Sequence, residues 1–288
     1  MSRPTTRRTF LKETALLGAA AAAVHAASGR AGAARGGAMP TIRLGGLEVS
    51  RLILGSNPFF GFAHGNPQAT ADEMKAWYTD ERIMAVLDAA ADHGITAVWT
   101  PCYDRWIRLW NTYRKGGGKL ATWIGQPDRF DEMKEHISAC AANGGRAICI
   151  QGECIHRAMT GGNPGIVREW LQHIKSHGLP AGMATHYPDD ILKAEQDGLP
   201  AEFYHLTIGV PDSFQQADRE KAVRTIRQME KPVVAFKVLG AGRFPPSEAF
   251  PFLLNRVRPK DGLCVGMFPK DRDEVAENTA LARDLTRG

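Results

Sequence analysis

Three shortages bound what this chain can be. No run of about 20 strongly apolar residues occurs in it, so no segment is suited to hold a bilayer. Cysteine is sparse: five in 288 residues, an odd number with no C-x-x-C pair, which argues against a disulfide framework. Excess charge is also lacking once the front end is set aside. The formal net charge is +5, but residues 1–33 hold Arg3, Arg7, Arg8, Lys12 and Arg30 against Glu13 alone. Without that segment the chain carries about +1, which gives no footing for a nucleic-acid surface.

The front end itself is informative. Arg7-Arg8-Thr9-Phe10-Leu11-Lys12 precedes an Ala-rich apolar run over 14–27, and Ala31-Gly32-Ala33 offers an A-x-A cleavage site. A charged start, a short apolar stretch and a small-residue end are the parts of a secretory signal. The paired arginines followed by Phe-Leu-Lys match the twin-arginine pattern, an address read by a receptor and not an anchor. The expected partners are therefore the twin-arginine export machinery and, for the mature domain, a small-molecule substrate. The expected location is periplasmic or extracellular, with no nucleic acid and no stable membrane anchor.

Beyond residue 40 the pattern alternates. Short runs apolar on both faces at 51–54, 97–99, 120–124, 147–150, 181–184, 203–207, 233–237 and 263–265 read as buried parallel strands. Three- and four-residue apolar spacing at 81–93, 130–142, 166–177, 218–229, 246–255 and 272–285 reads as helix. This alternation predicts a (β/α)8 barrel, the TIM-barrel architecture, over 41–288. A doubly wound open sheet is the runner-up, but Gly55-Ser56-Asn57-Pro58 supplies no Gly-rich phosphate turn after the first strand. The alternating runs around Gly45-Gly46 predict a β-hairpin over 41–50, placed to close the bottom of the barrel.

Several segments, in order along the chain, resemble the aldo-keto reductases: IRLGGLEVSRLILGSN at 42–57, HGITAVWTPCY at 93–103, AGMATHYP at 181–188, VVAFKVLGAGRF at 233–244 and VGMFPKDRDEVAENTALA at 265–282. Within that group, GSNPFFGFAHGN at 55–66 and YTDER at 78–82 look like a divergent exported branch. The resemblance implies a TIM barrel, a nicotinamide cofactor such as NADP, and carbonyl reduction by an Asp-Tyr-Lys-His tetrad. It also implies that Phe236 stacks on nicotinamide and that Gly240, Lys270, Arg272, Glu277 and Asn278 help cradle the cofactor. The tetrad, however, is degenerate. Trp99 stands where the Asp belongs, Tyr103 comes one residue early, the third strand has no Lys at its end, and the fourth ends Gln151-Gly152-Glu153 with His156 later. A proton donor needs its pKa tuned by a neighbour, and that neighbour is missing, so the standard reductase mechanism is not expected.

Reactive groups of a (β/α)8 barrel sit at the C-terminal strand ends. The candidates there are Tyr103, Glu153, His156, His186 and Lys237. Each has a plain alternative. His186 before Tyr187-Pro188 reads as a helix cap as well as a reactive imidazole. Glu153 and His156, three apart, suit a divalent metal or a surface ion pair. Cys102 and Cys154 read as soft ligands or as buried thiols. Lys237 after Val233-Val234-Ala235-Phe236 is costly to desolvate unless paired or used. Lys270 and Arg272 at a helix start suit a phosphate, while Asp271 and Asp273 would cap that helix without one.

Three functions stay open on this reading: an exported aldo-keto-reductase-like enzyme for a small sugar-like or carbonyl compound; a metal-assisted or cofactor-free isomerase, epimerase or lyase on a polyhydroxy substrate; and a non-catalytic binding barrel. Export is testable by itself. Replacing Arg7 and Arg8 with Lys should trap precursor in the cytoplasm, since the receptor reads the guanidinium pair and not charge alone. Cell fractionation of the double variant checks this, and normal export would remove the assignment.

Overall fold

The computed structural model of the protein describes residues 38–209 and 214–286. The signal segment expected over 1–33 lies outside them. A two-stranded antiparallel sheet comes first, β1 (Thr41–Leu44) and β2 (Leu47–Ser50). Eight parallel strands follow: β3 (Leu52–Gly55), β4 (Ala97–Pro101), β5 (Thr122–Gln126), β6 (Gly145–Ile150), β7 (Ala181–Thr185), β8 (Phe203–Thr207), β9 (Val233–Phe236) and β10 (Gly262–Gly266). They close in the order β10-β3-β4-β5-β6-β7-β8-β9. The expected (β/α)8 barrel is thus present, and the doubly wound alternative is excluded.

The helices are α1 (Ala71–Trp77), α2 (Asp80–Asp92), α3 (Asp104–Lys115), α4 (Met133–Ala142), α5 (Gly152–Thr160), α6 (Pro164–Ser176), α7 (Pro188–Gln196), α8 (Gln216–Gln228), α9 (Pro246–Leu254) and α10 (Glu274–Leu285). Strand residues are apolar on both faces because both faces are covered. One face packs under the helices. The other fills the lumen, where Ile53, Trp99, Ile124, Cys149, Phe203 and Phe236 form one cluster. Four of the helices, α1, α3, α5 and α7, had no counterpart among the helices read from apolar spacing.

The hairpin closes the lower end. Ile42, Leu44 and Val49 belong to the lumen cluster. Gly262, at the start of β10, is small for this reason: a Cβ there would lie 2.6 Å from Ile42 Cδ1. Ser50 N donates to Thr96 Oγ1 (2.7 Å) and Thr96 N to Ser50 Oγ (2.9 Å), which ties the hairpin exit to the residue below β4. Arg51 Nε donates to Asp261 O (2.9 Å), just below β10.

Two expectations need correcting. The third barrel strand runs two residues further along than 120–124. Leu120 is instead held by α3, its N–H donating to the Tyr113 hydroxyl (2.8 Å) and its carbonyl accepting from Arg114 (2.9 Å). The cysteines are not all free either. Cys102, just past β4, is disulfide-bonded to Cys140 on α4, while Cys149, Cys154 and Cys264 are buried thiols. Cys102 is therefore no metal ligand. Gly125 on β5 makes room for the bond: a Cβ would stand 3.2 Å from Cys140 Sγ and 3.3 Å from Cys102 Sγ. A cross-link over a separation of 38 residues constrains the unfolded chain by about 2–4 kcal/mol. The Cys102→Ser/Cys140→Ser double variant should lose that much stability in urea unfolding, and a change below about 1 kcal/mol would show that the bond does not contribute.

Candidate functional site

The C-terminal strand ends surround one cavity of about 680 Å³. Its wall takes Asn57 after β3, Trp99 from β4 and Tyr103 after it, Gln126 from β5 and Asp128 after it, and Glu153 after β6. His186 follows β7, Phe236 and Lys237 close β9, and Lys270, Arg272 and Asn278 come from the turn after β10 and from α10. Of the residues expected from sequence, Tyr103, Glu153, His186, Lys237, Phe236, Lys270, Arg272 and Asn278 share this cavity. His156, Gly240 and Glu277 do not line it.

His186 is well buried, its side chain 13% exposed. Glu153 Oε1 comes within 3.2 Å of its Nδ1, but off hydrogen-bond alignment, so Nδ1 is left without a hydrogen-bonded partner. Burial first, then the charges of Lys237, His64 and His156, push this imidazole down to about 3. Glu153 is too well solvated, at 58% exposed, to reverse that. His186 is therefore neutral at physiological pH. Lys237 sits one residue beyond β9 with φ 54, in the left-handed region, and its carbonyl accepts from Gly240 N (2.9 Å). A non-glycine residue held there costs roughly 1–2 kcal/mol, and such strain concentrates at functional sites.

Glu153 and His156 part company. Both lie on α5, but His156 turns away to Asp190 (Nδ1 to Oδ2, 3.0 Å) and stacks on Tyr187 at 3.7 Å. Asp190 is buried and also accepts from Thr185 Oγ1 (2.5 Å), so this is a structural knot behind the wall. Among the described residues no three His, Cys, Asp or Glu side chains converge as metal ligands. The metal reading of Glu153 and His156 is therefore not carried further.

Asp128 was not anticipated. It lies two residues past the end of β5, whose true end falls two residues beyond the apolar run at 120–124. Burial first, then the charge of the nearby Asp128 carboxylate, pushes the Tyr103 phenol up to about 12. Tyr103 is thus tuned in the opposite sense from a phenol readied by a cation.

The cavity floor is aromatic. Trp99 packs against His205 (centroids 4.2 Å) and Phe236 (5.2 Å), and Phe236 meets His186 edge-on at 5.4 Å. His205 is fully buried, and neither ring nitrogen has a hydrogen-bond partner. Phe236 thus packs into the aromatic floor while still lining the cavity.

At the turn after β10, Arg272 pairs with Glu277 (2.9 Å) and Lys270 with Glu73 (3.7 Å). Asp273 caps Ala276 N (3.0 Å) and Glu274 takes the N–H of Phe268 (2.7 Å). The helix start is therefore partly satisfied by its own carboxylates. Asn278 is different. It is buried, it lines the cavity, and its Oδ1 has no hydrogen-bond partner.

No protein-family model and no curated protein matches the chain. Solved structures do. The aldo-keto reductase AKR11C1 from Bacillus halodurans, in its holo form, superposes with TM-score 0.56 at 13% identity, over 84% of this chain and 90% of that one. The apo form of Gox0644 gives TM-score 0.54 at 12% identity, over 87% and 95%. The fold is therefore that of an aldo-keto-reductase-like TIM barrel.

The buried imidazoles set a pH dependence. His186 and His205 have folded pKa values depressed to about 3, chiefly by burial, against about 6.5 unfolded. The unfolded chain then binds more protons between those values, so stability is full above about pH 6.5 and falls as pH drops toward 3. His205→Leu should flatten this slope by up to about one proton. Urea unfolding at several pH values checks it, and an unchanged slope would mean that His205 titrates normally in the folded chain.

Proposed function

We propose that the mature domain is an exported enzyme that moves a proton beside the carbonyl of a small polyhydroxy compound, as an isomerase or epimerase does. The observation that supports it most is the convergence of His186, Glu153 and Lys237 in one cavity whose floor is Trp99 instead of an acid. A carboxylate beside Nδ1 favours the tautomer with the proton there and leaves Nε2 as the acceptor. His186 Nε2 then takes the proton from carbon, and Glu153 steadies the resulting imidazolium. Lys237 holds the oxyanion that develops on the carbonyl. The same lysine cation depresses His186 at rest. As the oxyanion forms, it offsets the part of the depression that this cation causes, while the larger part, from burial, remains.

A second reading rests on Asn278. Its unpartnered buried acceptor, with Lys270 and Arg272 nearby and Phe236 on the floor, fits a nicotinamide dinucleotide such as NADP. Asn278 would accept from the adenine amine, and the two cations would meet phosphate. When bound, that group would supply hydride to the carbonyl. The holo aldo-keto reductase of the same fold lends this reading support, while Trp99 and the raised Tyr103 count against the usual proton delivery.

Incubation of the exported protein in D₂O with aldoses and ketoses of three to six carbons, followed by mass spectrometry, distinguishes the two. Deuterium should appear next to the carbonyl. Lys237→Met, which keeps the apolar stem, should abolish it while melting temperature holds or rises. NADPH with simple aldehydes should give no turnover. A dinucleotide retained through native mass spectrometry, with hydride transfer and no deuterium uptake, would establish the second reading instead.

A further inference from the structure

His186 stands in the chain between two residues that are tied to one buried carboxylate. Asp190, on α7 and 6% exposed, accepts at Oδ2 from the Thr185 hydroxyl (2.5 Å). The same hydroxyl accepts the N–H of Tyr187 (3.0 Å), and Asp190 N donates back to Tyr187 O (3.1 Å). The backbone on either side of His186 is therefore closed into a small ring of hydrogen bonds.

The carboxylate also reaches the element that carries Glu153. A carboxylate can only accept, so His156 Nδ1 carries the proton it shares with Asp190 Oδ2 (3.0 Å). The His156 ring lies stacked on Tyr187, with centroids 3.7 Å apart. His156 is on α5, one turn beyond Glu153. That helix starts hard against the imidazole: a Cβ on Gly152 would stand 3.2 Å from His186 Nδ1 and 3.2 Å from Thr185 Cα. Glu153 Oε1 and His186 Nδ1, 3.2 Å apart, are thus both referred to a single atom, Asp190 Oδ2. Glu153 is 58% exposed, and an exposed carboxylate holds a partner in place only weakly.

We propose that Asp190 is a positioning residue for His186: through Thr185 it orients the strand end that bears the imidazole, and through His156 it docks the helix that bears Glu153, so that the two side chains meet. Asp190 touches no reacting atom in this arrangement and acts only through Thr185 and His156. The inference rests on the proton-transfer reading for its catalytic consequence, while the positioning itself stands apart from it.

The test separates the two. Thr185→Val keeps the volume, removes no charge and deletes the link between Asp190 and the backbone around His186. Thr185→Ser keeps the hydroxyl and serves as the rescue. In ¹⁵N-histidine-labelled protein the His186 signals are assigned by their loss in His186→Gln. The wild-type imidazole should titrate at about 3. The charges that act on it, Lys237 after β9, His64 after β3 and His156 on α5, are the same in both Thr185 variants, as is Glu153. In Thr185→Val the ring leaves its buried seat, so its midpoint should rise by at least about one unit toward the ordinary 6.5. Thr185→Ser should bring it back down.

Circular dichroism identifies variants that remain folded, and the near-isosteric Asp190→Asn carries the same test if Thr185→Val does not fold. Losing the Asp190 charge would by itself lower a nearby imidazole, so a rise in that variant also reports release of the ring. A His186 midpoint unmoved in the folded variant overturns the positioning role. These measurements need no substrate, so they hold whatever becomes of the isomerase reading. Turnover supplies the second arm. With the same aldose and ketose panel, kcat for deuterium uptake should fall about 10- to 100-fold in Thr185→Val, the scale of a misplacement near 1 Å, with KM little changed. Thr185→Ser should recover it. Full kcat in a folded Thr185→Val overturns the proposal. If the wild type takes up no deuterium, the isomerase reading fails by itself, and the His186 midpoint decides the role of Asp190.

Discussion

Closure of the sheet depends on β10 lying between β9 and β3, with Leu263 opposite both Leu52 and Ala235. That pairing joins residues about 210 positions apart in the chain, and the mouth exists because of it. Parallel strands closed into a ring must end on the same side, so residues from every loop face one another whatever their distance in sequence. The lumen beneath is a closed volume that side chains must fill to native density. Hairpin residues fill it from below. From above, the last inward-facing layer becomes the floor of the cavity, and the identity of those few side chains decides what chemistry the floor permits.

Trp99 is the decisive member of that layer. A carboxylate at its position would bring a charge and water into the upper lumen. The indole instead packs on His205 and Phe236 and keeps the floor apolar. Desolvation favours the neutral form of several groups buried in the barrel and behind its wall. His186 and His205 go down, and Tyr103, Cys149, Cys154 and Cys264 go up. The charged groups of the wall, Asp128, Glu153, Lys237, Lys270 and Arg272 among them, thus stand above an apolar floor. An indole at this position thus sets the character of the site well beyond its own contacts.

The barrel was legible in the sequence because buried parallel strands are apolar on both faces and few other segments are. Phe203–Thr207 was placed to the residue. The third strand was not, since Leu120 and Ala121 extend the apolar run of the strand although α3 claims the backbone of Leu120. Asp128, the anion near Tyr103, falls just past the true end of that strand. The helices that went unread have short or aromatic faces: α3 buries Trp106, Leu109, Trp110 and Tyr113, a helical spacing carried mostly by aromatic rings. The Cys102–Cys140 bond was illegible for another reason. Pairing depends on how α4 packs against the end of β4, and an odd cysteine count conveys nothing of that. Lys237 and His186 were legible from strand-end position alone, whereas the turning of His156 toward Asp190 depends on α7, an unread helix.

The two walls of the cavity are held differently, and this bears on how a ligand would be selected. On the β9–β10 side, Lys270 and Arg272 are engaged by Glu73 and Glu277 through pairs whose members are all more than a third exposed. Exposed ion pairs contribute only about 0–1 kcal/mol, so an incoming anion can take either cation from its partner at small cost. On the β4–β5 side, the backbone at Cys102 and Asp128 is fixed through a buried imidazole, a disulfide and a thiol donor. Moving it would leave buried donors unpaired, at about 1–3 kcal/mol each. An exchangeable wall adapts to whatever charge arrives and so adds affinity without discrimination. A rigid wall instead discriminates by shape, because it cannot yield to a ligand that does not fit it. The two sides of the cavity therefore differ in how they would meet a ligand: the β10 side through exchangeable charge, the β4–β5 side through fixed backbone.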